Sequence, residues 1–188
     1  MVAIILPKVI ERVNPDKPLI FLAGPIRGGG DWQSKMVEEL ISQCGDVQIA
    51  CPSRWTNEHL LSKFFIRPFS NASNRQLHWE RHYMELSALD NKQFGTLLFW
   101  LGLEDQNSPH PGPEPYAMDT RREIGKFTAF KKMRRLNREL DCRMVVGGSE
   151  DFYGLSVIRD ELDDAEDKEF PFYTSMKELA AAALRIAI

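Results

Sequence analysis

Residues 18–31 read Pro18-Leu-Ile-Phe-Leu-Ala-Gly24-Pro-Ile-Arg27-Gly-Gly-Gly30-Asp31, and the fold follows from how this stretch is parsed. Its first half is an unbroken apolar run stopped by Gly24 and Pro25. A strand that is apolar throughout is one covered on both faces, as in a parallel sheet. Gly28-Gly29-Gly30 makes a loop that needs backbone freedom. Asp31 then sits as the N-cap of a helix in which Met36, Val37, Leu40, Ile41 and Cys44 recur at helical spacing before Gly45. Val47-Gln-Ile-Ala-Cys51, closed by Pro52, is a second strand. Strand, loop, helix and strand in that order predict a parallel pair joined by a right-handed crossover.

The same alternation continues outward. Residues 53–74 are irregular and aromatic, with Trp55, Phe64, Phe65 and Phe69, and Asn71 to Asn74 reads as a turn. A helix is expected from about Arg75 to Leu89, with Trp79, Tyr83 and Leu86 on its inner side and Leu77 as a further candidate for it. Phe94-Gly-Thr-Leu-Leu-Phe-Trp-Leu101 is the strongest strand in the chain. Four prolines between Leu103 and Met118 exclude helix there, and a long loop after a central strand suggests function. A helix over 120–140, a strand over 143–147, a helix over 154–162, an edge strand over 170–174 and a last helix capped by Ser175 complete the series. The expectation is a single α/β domain over residues 1–188, doubly wound in the flavodoxin or Rossmann manner. Its sheet is read as five-stranded and mostly parallel, flanked by helices, with residues 1–17 as a possible extra edge element.

The chain has 188 residues, 24 Lys and Arg against 27 Asp and Glu, and a net charge of −3. This excludes a strongly basic nucleic-acid protein and an acidic disordered tail. No apolar run approaches the ~20 residues of a membrane span, and the start lacks the basic region of a signal peptide. Cys44, Cys51 and Cys142 show no paired spacing. A cytoplasmic protein with no metal, no cofactor, no membrane and no nucleic-acid partner is expected. The average hides an asymmetry: residues 121–143 carry nine bases against three acids, and residues 150–169 carry nine acids against two bases. Two charged faces, set against one another, is the favoured reading; a polyanion site on the basic helix is the other.

In an open parallel sheet, ligands bind beyond the carboxyl ends of the strands. The glycine loop at Gly24, Pro25, Arg27 and Gly28 lies there, and backbone N–H groups with a helix N-terminus suit a phosphate, to which Arg27 would add a charged donor. A merely tight turn is the equal alternative, since neither GxGxxG nor a P-loop is present. Thr120-Arg-Arg-Glu123 fits a capping box, in which Glu123 serves the backbone. Gly125 is costly in a helix, by ~1 kcal/mol, and makes sense if something packs closely on it. Asp119 is read first as a helix cap and second as a ligand contact. His78 and His82 stand four apart as metal ligands can, without a third partner.

Ile20-Phe-Leu-Ala-Gly24-Pro-Ile-Arg-Gly-Gly, Gln76-Leu-His-Trp79-Glu80, Leu97-Leu-Phe-Trp100 and Thr120-Arg-Arg-Glu123-Ile-Gly125 occur in this order over residues 18–148. Together they resemble the nucleoside 2-deoxyribosyltransferase family in its broad sense, which includes N-glycoside hydrolases of nucleotides. The resemblance implies a retaining displacement at the anomeric carbon of a nucleoside or nucleotide, by transfer or hydrolysis. Glu123 would be the nucleophile and Glu80 the proton-transfer group, with Glu85 a weaker candidate. Gly24, Pro25, Arg27, Gly28, Trp79, Asp119 and Gly125 would border the substrate. It also implies a homo-oligomer, across whose interface the acidic segment and the basic helix could meet. The tyrosine that many members carry in the first strand is absent; Ile20 is the nearest match. A non-catalytic nucleotide sensor and a glycohydrolase of an NAD-type dinucleotide stand as alternatives on the same fold.

Overall fold

The computed structural model describes residues 1–7, 10, 12–66 and 75–187. Six strands form one sheet: β1 (Ala3–Ile5), β2 (Leu19–Ala23), β3 (Gln48–Ala50), β4 (Gly95–Leu101), β5 (Met144–Gly148) and β6 (Phe172–Tyr173). Their order is β1-β3-β2-β4-β5-β6, and every pairing is parallel. The helices are α1 (Trp32–Gln43), α2 (Gln76–Leu89), α3 (Met118–Leu136), α4 (Leu155–Glu166) and α5 (Met176–Ala187). The fold is thus α/β and doubly wound, as expected, but with six strands rather than five. The extra one is β1, where Ala3, Ile4 and Ile5 pair with Gln48, Ile49 and Ala50 at the sheet edge. The expected turn at 71–74 and Phe69 lie outside the described residues.

Residues alternate across β2 between two cores. Leu19, Phe21 and Ala23 face Trp79, Tyr83, Ile124 and Phe127 from α2 and α3. Ile20 and Leu22 face Met36, Val37 and Leu40 of α1 and the alanine-rich face of α5. All five β2 residues are buried, which is why the run reads as continuous apolar sequence. No helix among the described residues is long and apolar enough to cross a membrane.

The chain leaves β2 through α1 to β3 on one side, then crosses back through α2 to β4 on the other. The strand order therefore reverses between β2 and β4, whose register runs from Leu19 opposite Gly95 to Ala23 opposite Phe99. That reversal opens a crevice beyond Ala23 and Leu101, where doubly wound sheets place their ligands.

The basic and acidic segments meet within the chain. Lys132 pairs with Asp164 at 2.5 Å, Arg135 with Asp167 at 3.2 Å, and Lys131 with both Glu166 at 2.6 Å and Asp141 at 2.7 Å. α3 and α4 are thereby stitched along the sheet face they share.

Candidate active site

The crevice is a cleft of about 570 Å³. The glycine loop after β2, the loop after β3, the first turn of α2 and the start of α3 form its walls. Gly24, Pro25, Arg27, Glu80, Asp119 and Glu123 all line it. Gly28, Trp79 and Gly125 are not among its lining residues.

Gly28 supports the cleft from behind. Its φ is +75°, and an added Cβ would stand 2.7 Å from the His110 backbone nitrogen. Its carbonyl accepts from the Asp105 N–H at 2.7 Å, so the proline-rich loop is clamped onto the glycine loop. Glu104 Oε1 accepts the His110 N–H at 2.7 Å, and Tyr116 donates its hydroxyl to the Gly102 carbonyl at 2.9 Å. This brings His110 and Glu114 to the cleft wall. Arg27 is exposed at the rim, with no hydrogen bond or ion pair among the described residues.

Trp79 points the other way. It is fully buried against Phe21, at 5.8 Å between ring centroids, and Tyr83, at 5.1 Å. On a helix, residues 76 and 80 share one face while 79 and 83 share another, so Gln76 and Glu80 take the cleft and Trp79 takes the core. Leu77, a further candidate for the inner side, is instead 52% exposed and lines the cleft. Glu85 is also turned away, paired with Lys126 at 2.9 Å. Gly125 has nothing within 4 Å of an added Cβ. Among the described residues no group of the chain packs on it.

Glu123 is not a capping residue. α3 begins at Met118, two residues earlier than the sequence pattern indicates, because Ala117 adopts a left-handed conformation with φ 58° at the N-cap. Arg121 braces this start, donating to the Tyr116 carbonyl and, at 3.0 Å, to that of Tyr153. Thr120 is buried within the first turn, and Glu123 falls in the second, facing the cleft. Asp119 likewise is inside the helix, exposed, and 3.6 Å from Arg122; it is not the N-cap residue.

The Glu123 carboxylate makes no hydrogen bond or ion pair among the described residues. Burial pushes its pKa up to about 7; the charges of Glu80 and Asp119 add to this, and Lys126 and Arg122 oppose it. Glu80 is also raised, first by burial and then by Asp119, while its hydrogen bond from Gln76 and the charge of Arg54 pull it down. The Glu80 charge on the facing helix thus disfavours ionisation of Glu123.

This arrangement makes a stability prediction independent of any substrate. A carboxyl whose folded pKa is raised favours the native state below its unfolded value and loses that advantage as pH rises through the folded one. Glu123→Gln removes the charge. It is expected to stabilise the protein by about 2 kcal/mol at pH 8 and by little at pH 4. Thermal unfolding at the two pH values checks it; an equal effect at both would contradict a perturbed Glu123.

The sequence assigns no role to Arg54, and Gln76 enters only as the first residue of the Gln76-Leu-His-Trp79-Glu80 motif. Arg54 follows β3, and the same rule that pointed to the loops after β2 and β4 applied there. Its guanidinium donates to Gln76 Oε1 at 3.0 and 3.3 Å. Gln76 in turn donates to Glu80 Oε1 at 2.8 Å. His110 and Glu114 carry no distinguishing signal in their proline-rich segment.

No family model matches the chain, and no curated protein matches it.

Proposed function

We propose that this protein cleaves or transfers the N-glycosidic bond of a nucleoside or nucleotide, (deoxy)ribosyl in its sugar, with Glu123 as nucleophile and Glu80 as proton carrier. The observation that carries the reading is the largely desolvated Glu123 carboxyl, without a hydrogen-bond or ion-pair partner among the described residues, in a cleft at the strand-order reversal with a second carboxyl on the facing helix. The four short motifs that resemble the deoxyribosyltransferase family support the same assignment.

The chemistry needs nothing beyond these two groups. An oxygen of ionised Glu123 attacks C1′ through an oxocarbenium-like transition state. The electrons of the C1′–N bond pass to the base nitrogen, which takes the Glu80 proton. Glu123 is now a neutral glycosyl ester, so it no longer repels charge on Glu80, and Glu80 ends the step as a base. Water or a second base then attacks C1′, gives its proton to Glu80, and returns the ester electrons to Glu123. Exclusion of water from the closed cleft decides between the hydrolytic and transfer outcomes. Arg27 and the glycine loop lie where a 5′-phosphate of a nucleotide substrate would be met. The same reading takes the chain to assemble with copies of itself, which light scattering checks.

Incubation with nucleosides, nucleoside monophosphates and NAD, with and without a free acceptor base, tests the proposal. Release of base or formation of a new nucleoside is expected. Binding without turnover would instead make the domain a sensor, and nicotinamide release would make the substrate a dinucleotide.

A further inference from the structure

Arg54, Gln76 and Glu80 form a chain of hydrogen bonds from the loop after β3 into the cleft. A glutamine amide has one acceptor end and one donor end. The two Arg54 contacts, at 3.0 and 3.3 Å, can only meet the oxygen. The amide nitrogen is therefore the end that faces Glu80 Oε1, at 2.8 Å. That nitrogen only donates, so Glu80 Oε1 must accept, and a proton on Glu80 is confined to Oε2. Gln76 and Glu80 are four residues apart on one helix face, and Arg54 is exposed. The chain thus builds no part of the core.

We propose that Arg54 and Gln76 are positioning residues that make the two carboxyl groups of the cleft unequal, holding Glu80 as the readier proton donor and leaving the more basic role to Glu123. The inference rests on the proposed assignment of these two glutamates. A charge-assisted bond to Glu80 Oε1 stabilises its ionised form, and the retained Glu80 charge then disfavours ionisation of Glu123. The stronger acid donates its proton more readily, and the more basic carboxylate is the better nucleophile.

The groups that bear on this pair come from every wall. Glu80 faces Gln76 on its own helix, Arg54 from the β3 loop and Asp119 from α3. Glu123 faces Glu80 from α2 and has Asp119, Arg122 and Lys126 on its own helix. His110, Glu114 and Arg27 are the other titratable residues lining the cleft among the described residues. Only Gln76 among these contacts Glu80 by a hydrogen bond.

The test is a carboxyl-carbon NMR titration of the intact protein labelled at glutamate, with Glu80→Gln and Glu123→Gln used to assign the two signals. In Gln76→Met the amide donor is lost while the side-chain length is kept. The Glu80 midpoint is expected to rise by about one pH unit and the Glu123 midpoint to fall. Arg54→Met, which frees the amide to turn, should move both in the same directions by less. Unchanged midpoints in Gln76→Met, or both moving the same way, would overturn the proposal. Should Gln76→Met fail to fold, Arg54→Met alone decides by the same criterion. This readout needs no substrate: unequal midpoints that respond to Gln76 in a protein without glycosidic activity would retain the relay and remove the proposed function.

Discussion

Glu123→Gln is expected to lower base release by ~10³-fold or more, about 4 kcal/mol of transition-state stabilisation. The amide keeps the shape and volume of the carboxyl and removes its nucleophilicity. The same substitution is expected to stabilise the fold above pH 7, so a loss of activity would not be explained by unfolding. The pH profile carries a second signature. In the proposed reaction the reactive form is the less populated tautomer of the one-proton pair, with that proton on Glu80 and Glu123 ionised. Since burial and repulsion push Glu123 up to about 7, the pair surrenders its last proton near that pH, and kcat/KM is expected to fall as pH rises through it. A profile that instead rises through 7 to a plateau would assign the chemistry to Glu123 alone and remove Glu80 from it. Activity undiminished in Glu123→Gln would remove Glu123.

Lys131→Met is expected to cost about 3 kcal/mol of stability, lowering Tm by about 6–12 °C. The Lys131 side chain is only 4% exposed, and its ammonium meets Asp141, Glu166 and the Cys142 carbonyl at 2.7, 2.6 and 3.2 Å. Burial pulls the Lys131 pKa down, and the hydrogen bonds to the two carboxylates more than offset it, so the pKa is raised overall. Its contribution is therefore present throughout the neutral range and is lost only as pH rises above the ordinary lysine value. Methionine fills the stem and donates nothing. It leaves Glu166, whose side chain is 21% exposed, without its cation. Base release per folded molecule should not change, because this network lies on the α4 side of α3, away from the cleft. An unaltered Tm would mean that the carboxylates are simply resolvated and that the stitch between α3 and α4 contributes nothing.

Much of this architecture is legible in the sequence for one reason: central parallel strands are buried on both faces, so β2 and β4 read as apolar runs with sharp ends. β1 is harder to read. Three residues at an edge give no periodicity, and only their pairing with Gln48–Ala50 makes them a strand. The start of α3 misleads because Thr120-Arg-Arg-Glu123 satisfies a capping-box pattern, while the helix is in fact begun by the left-handed Ala117. In the site, Glu80 and Glu123 are legible through short motifs. Trp79 beside Glu80 is not separable from it by motif, and only the helical step of about 100° per residue turns it into the core. Arg54 and Gln76 are 22 positions apart. Their contact is a product of the crossover between β3 and α2, which no local pattern encodes.

The proposed role of Glu123 as carrier of the sugar is checked by rapid acid quench of the protein turning over a nucleoside or nucleotide substrate, followed by intact-mass measurement and peptide mapping. A fraction of the protein heavier by one glycosyl group is expected, with the added mass on the peptide containing Glu123 and absent in Glu123→Gln. Base release with no covalent adduct on that peptide, or an adduct mapped to Glu80 instead, would contradict it.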